Sequence, residues 1–450
     1  MKRFITLFAA LSLLVSCQST LSSAPSTTVT YAAITGSDPQ AESLTGFTVT
    51  VNSVTYRAVV NRFTRAVTLY LPSGTAVTAL TPAVSTASGL TVTAPSTAAV
   101  DFSSPVTYTL SDGSSYVVTV KTDVPSAATV NGWIGKGINV GNDLDAWPGA
   151  EGSWTNSVVA QETFFDDYKK LGFNSVRIPI TWGEATNKAD RLSDAGAAST
   201  INSTFMNRVD QVVGWAIDAG LTVVINAHHE DWIRTLTGSA VTAQMPRFEA
   251  LWTQIAEHFK GWPPQLVFEI LNEPQGKMTN ADVITLNQAI LKKIRPSNPT
   301  RVVIVGSNSY NSLYTLKDGS FSLPTDSAAG GPFLIANFHN YNPWTFAGQS
   351  SGSWGSSSDI ASMKADLDAA AAWAAGKSVP VYMGEYGVTL QYQGTKTDLT
   401  SRTAWYTQVT KIAKADGISM ALWDDYGDFK LYDRVNRTYD KNALDAVLAQ

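Results

Sequence analysis

From about residue 130 onward, short apolar segments alternate with amphipathic segments of helical periodicity. Eight of the apolar segments are rich in Val, Ile, Leu and aromatic residues, which is typical of strands buried on both faces of a parallel sheet. They span Ile134–Val140, Asn174–Ile180, Thr222–His228, Leu266–Asn272, Arg301–Gly306, Phe333–His339, Val379–Gly384 and Ser419–Trp423. The predicted helices span Val158–Leu171, Ser203–Ala219, Ala243–Phe259, Asn280–Ile294, Asp359–Ala375, Leu399–Asp416 and Asn442–Ala449, and the segment after Ser307 is irregular.

Eight β/α units over roughly 320 residues predict an α/β fold of the (β/α)8 TIM-barrel type, with longer loops than a typical barrel of ~250 residues. The same units could form an open, doubly wound sheet, which would carry a Gly-x-Gly-x-x-Gly loop after its first strand. Gly135, Gly137 and Gly141 do not have that spacing. We therefore expect the closed barrel over residues 130–450.

The preceding residues have a different pattern. Between about residue 28 and residue 123, short Thr/Val-rich segments such as Phe47–Asn52 and Val106–Leu110 alternate in polarity and are separated by turn residues. This pattern predicts a small all-β, immunoglobulin-like sandwich over residues 28–124, followed by a linker at 125–129. The sandwich could be a spacer or a carbohydrate-binding module; it contains no Trp, which favours a spacer.

The N-terminus has the features of an export signal. A basic Met1-Lys-Arg precedes an apolar stretch, Phe4–Val15, which is too short to span a membrane. Leu14-Val15-Ser16-Cys17 resembles the bacterial lipoprotein signal, so residues 1–17 are predicted as the signal and 18–27 as a Ser/Thr-rich tether. We expect an exported lipoprotein, lipid-anchored through Cys17 at the outer membrane or cell surface. The alternative is an ordinary secretory signal and a secreted protein.

Polar side chains concentrate at the C-terminal ends of the predicted barrel strands, where catalytic residues of such barrels lie. The fourth and seventh strands are followed by glutamates, Glu273 and Glu385. A carboxylate in that position has no packing role, and two of them on one rim are the minimum needed to hydrolyse a glycosidic bond. All 13 Trp lie at or after Trp133, so this region also holds the flat rings that stack on sugars. The formal net charge of −5 gives no indication of a nucleic-acid partner.

Six motifs follow one another in the order of the strands. They are Gly137-Ile-Asn-Val-Gly-Asn-Asp-Leu-Asp145, Arg177-Ile-Pro-Ile-Thr-Trp182, Ile225-Asn-Ala-His-His-Glu230, Asn272-Glu-Pro274, Phe338-His-Asn-Tyr-Asn-Pro343 and Gly384-Glu-Tyr-Gly387. Together they resemble glycoside hydrolase family five, the large cellulase and mannanase family, over roughly residues 130–450. The chain departs from the family's endoglucanases at Trp423-Asp-Asp-Tyr-Gly427 and at Ala227, both expected at the walls of the substrate site.

The resemblance implies a division of labour between the two glutamates. Glu273 resembles the family's general acid/base and Glu385 its nucleophile. The acid needs a raised pKa to hold its proton, whereas the nucleophile must be ionised. Arg177 and Tyr341 resemble the partners that keep the nucleophile ionised and oriented. In retaining enzymes the two carboxyl groups lie only about 5 Å apart.

Further site residues follow from the same resemblance. Asn272 resembles the residue that binds the sugar 2-hydroxyl, His228 and His339 resemble rim histidines that orient carboxylates and hydroxyls, and Trp423 resembles the stacking platform. Additional substrate-binding candidates are His229, Asn142, Trp154 and Trp344. His228, His229 and Glu230 could suggest a metal, but adjacent histidines on a strand point apart and no third ligand is evident. We therefore expect no metal and no cofactor.

One geometric conflict arises at strand four. Neighbours on a regular strand face opposite ways, so Asn272 and Glu273 can share the site only if the strand ends or bulges there. Pro274 favours an ending. By the same alternation, Glu269 lies on the face of Glu273 one layer deeper, where we expect a structural carboxylate paired with a residue of strand two or three.

The predicted activity is a retaining, endo-acting hydrolysis of β-1,4-glucan, either cellulose or a mixed-linkage glucan. The alternatives are a β-mannanase or xyloglucanase of the same family, or a catalytically inactive carbohydrate-binding protein. The last would have lost one glutamate, and both are present. The expected partner is the polysaccharide, and the chain is expected to act as a monomer.

Overall fold

The structure, a computed structural model, describes residues 28–95, 99–183, 191–192, 199–328 and 330–450. The predicted signal, the tether and Cys17 lie outside these residues. Within the described ranges, no helix combines the length and apolar character needed to cross a bilayer.

The N-terminal region is built of strands, as the alternating pattern predicts. Its elements are β1 (Tyr31–Ala33), β2 (Leu44–Val51), β3 (Val54–Arg57), β4 (Val59–Val60), β5 (Ala66–Tyr70), β6 (Pro82–Thr86), β7 (Val92–Ala94), β8 (Val106–Leu110) and β9 (Ser115–Lys121). One sheet has the order β3-β2-β6 and the other β4-β5-β9-β8-β7. Side chains alternate between buried and exposed along the strands, and Phe47, Leu69, Tyr108 and Val118 form part of a shared core. The all-β expectation is confirmed.

The barrel region begins with a helix and contains every predicted strand. Its elements are α1 (Ala127–Ile134), β10 (Lys136–Asn139), α2 (Glu162–Leu171), β11 (Ser175–Ile178), α3 (Ser203–Asp218), β12 (Thr222–Asn226), α4 (Asp231–Arg234), α5 (Ser239–His258), β13 (Leu266–Glu269), α6 (Asn280–Ile294), β14 (Val303–Val305), α7 (Asn308–Asn311), α8 (Leu313–Lys317), β15 (Leu334–Asn340), α9 (Trp344–Ala347), α10 (Ser357–Lys377), β16 (Val381–Tyr386), β17 (Gln391–Tyr392), β18 (Thr395–Lys396), α11 (Leu399–Ala415), β19 (Ser419–Leu422), β20 (Tyr432–Asp433), β21 (Thr438–Asp440) and α12 (Lys441–Leu448).

The eight predicted strands close into a parallel barrel of order β10-β11-β12-β13-β14-β15-β16-β19, which confirms the predicted fold. Their apolar residues are buried on both faces: outward residues pack under the helices, and inward residues such as Val224 and Ile304 fill the barrel. Helix boundaries follow local signals. The α6 helix begins after Thr279, whose side chain and that of Asp282 form a capping box.

Two N-terminal segments differ from the expectation. Residues 127–134, which begin in the predicted linker at 125–129 and end at the first residue of the predicted first strand, form α1. Its Val130 and Ile134 pack on inward residues of the barrel and close its lower end. The strand β1, which falls within the predicted sandwich, pairs instead with β21 beside the loop that follows β19. The helix α1 depends on apolar partners from the barrel strands, and β1 depends on backbone partners in β21; both sets of partners are far away in the sequence.

The β-module packs firmly against the barrel. Arg62 donates to Asp166 of α2 at 2.7 Å, and Asp218, at the end of α3, is paired with Arg57 and accepts from the Val60 N–H. The Arg57 N–H donates to the Gly261 carbonyl, where a Cβ would clash with the backbone of Thr55. Asp218 ends α3, which leads to the start of β12, and Gly261 lies between α5 and the start of β13. These contacts therefore lie away from the C-terminal rim of the barrel.

Candidate active site

A cleft with a cavity of about 790 Å³ opens at the C-terminal ends of the barrel strands. Most of the predicted site residues line it. The lining residues are His228, His229, Arg234, Asn272, Glu273, Gln275, Ser309, Tyr310, Ser312, His339, Tyr341, Asn342, Trp344, Glu385, Trp423 and Phe429. Glu273 and Glu385 are the only carboxylates among them.

Glu385, the predicted nucleophile, is almost fully buried and held by two donors. Its Oε1 accepts from Arg177 Nη1 at 2.8 Å and its Oε2 from the Tyr341 hydroxyl at 2.9 Å. Burial and the nearby carboxylates raise the pKa of Tyr341 well above its usual value, so the phenol keeps the proton that it donates. This is the arrangement that the resemblance implies for a carboxylate kept ionised and oriented.

Glu273, the predicted acid/base, follows a strand that has already ended. The regular ladder of β13 stops at Glu269, and Glu273 has a φ of +44°. The alternation of a strand therefore no longer applies, and Asn272 and Glu273 both line the cleft. Glu273 offers an oxygen within 4.8 Å of an oxygen of Glu385. This separation fits the short spacing of retaining glycosidases.

His339 lies between the two carboxylates. Its Nδ1 is 2.8 Å from Glu273 Oε1 and 3.5 Å from Glu385 Oε2. Burial opposes the charged imidazolium, but the two carboxylates outweigh burial and raise the pKa of His339. For Glu273, burial raises the pKa, yet the hydrogen bond and charge of His339 outweigh it and lower the pKa. The pKa of Glu273 is therefore shifted downward, opposite to the raised pKa expected for the acid.

Arg177 occupies the layer below the cleft and pairs with Glu269, as predicted for a strand-two partner. Its Nε and Nη2 donate to the two oxygens of Glu269 at 2.6 and 3.0 Å. The same guanidinium donates to Asn139, Asn272 and Glu385. Burial opposes its charge, but the two carboxylates keep the pKa of Arg177 above its usual value.

His228, Asn272 and Trp423 form one wall. Asn272 Nδ2 lies 3.3 Å from His228 Nε2, and the Trp423 ring is parallel to the imidazole with centroids 5.9 Å apart. Burial and nearby cations lower the pKa of His228 well below its usual value, so this histidine is neutral. Gly141 allows the indole to approach, because a Cβ there would lie 2.8 Å from the ring.

The four additional candidates are distributed differently. His229 and Trp344 line the cleft, and Trp344 is 52% exposed. Trp154, 41% exposed, packs edge-on against His229 with centroids 5.5 Å apart, which extends the wall past the cavity. Asn142 does not line the cavity; its amide donates to the Asp425 carbonyl and joins the loops after β10 and β19.

The two adjacent histidines do not point apart as predicted. Because β12 ends at Asn226, their rings meet edge-to-face 4.5 Å apart, and Asp145 joins them in a cluster of three potential metal ligands. However, Arg234 Nη2 donates to His229 Nδ1, so the lone pair of that nitrogen is already used. The other ring nitrogen, Nε2, lies 3.6 Å from Asp145 Oδ2. The cluster suits sugar hydroxyls better than a cation.

Several lining residues were not predicted from the sequence. Tyr310, Phe429 and Gln275 lie in turns or loops and Arg234 ends the short helix α4, and no periodic pattern reveals the course of these segments. Tyr310 is the middle of three consecutive residues with φ between +53° and +63°, at a cost of about 1–2 kcal/mol each. Its N–H donates to the Pro274 carbonyl, and its ring is 50% exposed. The segment labelled α7 is therefore a left-handed turn that presents an aromatic ring beside Glu273.

A closed β/α barrel with two carboxylates facing each other in an aromatic-walled cleft is the arrangement of a glycoside hydrolase. The family profile described as "Cellulase (glycosyl hydrolase family 5)" matches residues 135–428, and the chain belongs to this family. A second profile, described as "SGBP, N-terminal", matches residues 44–122.

Individual proteins show the same similarity. Endoglucanase H of Acetivibrio thermocellus is 38% identical over 323 residues, which make up 70% of this chain and 33% of that protein. The chain thus spans about a third of the length of this curated relative. Crystal structures of Thermotoga maritima Cel5A, one with cellobiose and one with mannotriose, are 32% identical with a TM-score of 0.64. Each alignment covers 72% of this chain and 100% of that chain.

Proposed function

We propose that the barrel is a retaining, endo-acting β-1,4-glucanase that hydrolyses cellulose or mixed-linkage glucan. The observation that carries the proposal is the pair of carboxylates, Glu273 and Glu385, with oxygens within 4.8 Å of each other. They follow strands four and seven of the barrel and face the same cleft. Similarity to endoglucanases over the whole barrel supports the substrate class.

In the first step, Glu385 attacks the anomeric carbon while Glu273 gives a proton to the leaving oxygen. Arg177 and Tyr341 orient Glu385 and release it as its charge passes into the new bond. The opposite pKa shifts of the two groups, downward for Glu273 and upward for His339, favour the proton of the pair on His339. A bound sugar excludes water from Glu273, which penalises its ionised form and favours transfer of the proton to the carboxyl.

In the second step, Glu273 acts as base and activates a water molecule, which attacks the glycosyl–Glu385 ester. Asn272 is held by Arg177 with its amide beside His228, and so presents a fixed donor to a sugar hydroxyl. A hydrogen bond that tightens only in the transition state raises kcat rather than affinity.

Aromatic rings on both sides of the carboxylates favour an extended substrate. Trp423 and Trp154 lie towards His228 and His229, and Tyr310 and Trp344 lie towards Glu273 and Tyr341. A chain that continues beyond the cleavage point in both directions is the substrate of an endo-acting enzyme. Viscosity of carboxymethylcellulose should therefore fall much faster than reducing ends appear.

A Glu385→Gly variant with azide tests the mechanism. The variant should be inactive, and azide should restore cleavage of an aryl cellobioside to give the product of inverted configuration. Glu273→Gly serves as the matched control, since azide there should give the retained configuration. Full activity of Glu385→Gln would overturn the assignment. Lichenan, xyloglucan and galactomannan beside carboxymethylcellulose test the glucan preference against the two alternatives.

We also propose that the protein is exported and anchored through a lipid on Cys17, and that it acts as a monomer because its cleft is complete within one chain. The Leu14-Val15-Ser16-Cys17 pattern supports the anchor. In a bacterial host, the chain should take up an alkyne-labelled fatty acid and partition with membranes, and Cys17→Ser should abolish both. An unlabelled wild-type chain in the medium would indicate ordinary secretion.

Light scattering of the chain without its signal and tether measures the oligomeric state.

A further inference from the structure

The completely buried Glu269 makes contacts that reach the nucleophile by two routes. Its oxygens accept from Arg177 Nε and Nη2 and, at 2.8 Å, from Asn337 Nδ2. Both Arg177 and Asn337 also make hydrogen bonds at or next to Glu385. We propose that Glu269 is a positioning residue that acts through Arg177 and Asn337 to set the orientation and the charge environment of Glu385. This inference rests on the proposed function.

The first route passes through the peptide group next to the nucleophile. Asn337 Oδ1 accepts from the Gly384 N–H at 3.0 Å, and Asn139 Nδ2 donates to the Gly384 carbonyl at 3.0 Å. Asn139 in turn accepts from Arg177, and Asn337 donates to Glu269. A Cβ on Gly384 would lie 2.7 Å from Asn337 Oδ1, so only glycine permits this close contact.

The strand itself does not provide this support. The pairing of β15 with β16 shifts register so that Phe338 is opposite Met383 but His339 is opposite Glu385, which leaves Gly384 as the extra residue of a bulge. The pairing with β19 is also irregular from Met383 to Tyr386. Because bulges re-aim side chains, the direction of Glu385 depends on what holds Gly384. The two amide side chains provide that hold, and Glu269 orients one of them.

The second route is electrostatic. Arg177 carries one positive charge between two buried carboxylates, Glu269 and Glu385. The other ionisable or polar groups facing Glu385 are the Tyr341 hydroxyl, His339 and the carboxylate of Glu273. Without the charge on Glu269, the guanidinium would be neutralised by Glu385 alone and would bind it more tightly. A more strongly stabilised carboxylate is a weaker nucleophile, and it stays ionised to lower pH.

Two variants separate the routes. Glu269→Gln removes the charge, and Asn337→Ala breaks the link to Gly384 without changing charge. The matched control is Glu230→Gln, because Glu230 is a buried carboxylate that accepts from Trp182, Gly183 and Trp232 rather than from Arg177 or Asn337. The substrate is 2,4-dinitrophenyl β-cellobioside, whose leaving group needs no acid, so the rate of the first step reports on the nucleophile.

Both test variants should lower kcat/KM by about 10- to 100-fold, the cost of a small misplacement of a reacting group. In addition, Glu269→Gln should move the acidic limb of kcat/KM to lower pH, and Asn337→Ala should leave it in place. Glu230→Gln should lower the melting temperature alone. If both test variants only lose stability and keep the wild-type rate and acidic limb, Glu269 is merely structural.

Two further results are decisive. If Glu269→Gln does not fold, a wild-type kcat/KM in Asn337→Ala overturns the proposal, and a reduced one supports it. A wild-type enzyme that is inactive on aryl β-glycosides and on polysaccharides contradicts the proposed function. An active wild type with unaffected variants contradicts this inference alone.

Discussion

Replacing Arg177 by Lys should damage both stability and catalysis, although the charge is kept. The guanidinium makes five donor contacts of 2.6 to 3.0 Å: two to Glu269 and one each to Asn139, Asn272 and Glu385. A lysine ammonium has three N–H donors and no planar fork. At least two of the five acceptors therefore lose their partner.

The size of the effect follows from the burial of these acceptors. All of them belong to residues that are at most 5% exposed. An unpaired buried acceptor costs about 1–3 kcal/mol, so two of them should lower the free energy of unfolding by about 2–6 kcal/mol. If Glu385 also loses its fixed donor, kcat on an aryl cellobioside should fall by about 100-fold.

Urea denaturation and steady-state kinetics measure the two effects separately. Arg402→Lys is the matched control, because Arg402 is a buried arginine paired with Asp440 outside the cleft. It should lose stability but keep its kcat below the unfolding transition. The reasoning would be refuted by an Arg177→Lys variant whose free energy of unfolding is within about 1 kcal/mol of wild type and whose kcat is within about threefold. Differences this small are close to the scatter found when the effects of independent sites are added.

Three further predictions concern the acid/base residue, the histidine beside it and the interface between the two regions. Glu273→Ala should lower kcat/KM on cello-oligosaccharides by about 10²- to 10⁴-fold but hardly affect the first step on a dinitrophenyl cellobioside, which burst kinetics would reveal; an equal loss on both substrates would contradict the acid role. His339→Asn should move the basic limb of kcat/KM to higher pH. His339 lowers the pKa of Glu273, and once it is removed, burial alone raises that pKa and keeps the acid protonated to higher pH. An unmoved or lowered limb would argue against this coupling. Asp218→Ala should lower the free energy of unfolding by about 2 kcal/mol, less than a fully buried pair because Arg57 is partly exposed, with kcat unchanged; a calorimetric scan identical to wild type would show that the interface contributes nothing.

The parts of the fold predicted from the sequence are those governed by local patterns. All eight barrel strands were predicted because each is a short, continuous apolar run, and α6 was predicted at its observed bounds from its helical periodicity. The helix over residues 127–134 was not predicted: residues 127–129 were assigned to the linker and Ile134 to the first strand. The helix is favoured because its apolar face packs on the inward side chains at the lower end of the barrel, a contact that the local sequence does not reveal.

For the site, the motifs indicated the chemical groups but not their mutual geometry. The residue types and their places at strand ends are local properties, and these identified Glu273, Glu385, Arg177 and His339. The distance between the two glutamates depends on barrel closure, because strands four and seven meet only across the cleft. Tyr310 and Phe429 were missed because their positions depend on a strained turn and a long loop.

The amino-acid sequence by itself determined the barrel class, the family resemblance and the choice of Glu273 and Glu385 as candidate catalytic carboxylates, since these depend on periodicity and on which side chain follows which strand. Two features depend on the tertiary structure alone: Glu273 is free of the strand's alternation, and His339 lowers the pKa of Glu273. The proposed support of Glu385 by Glu269, through Arg177 and Asn337, depends on it as well. Each depends on contacts between residues far apart in the chain. A charge can shift a neighbour's pKa, and a bulge can redirect a side chain, only once folding has brought those residues together.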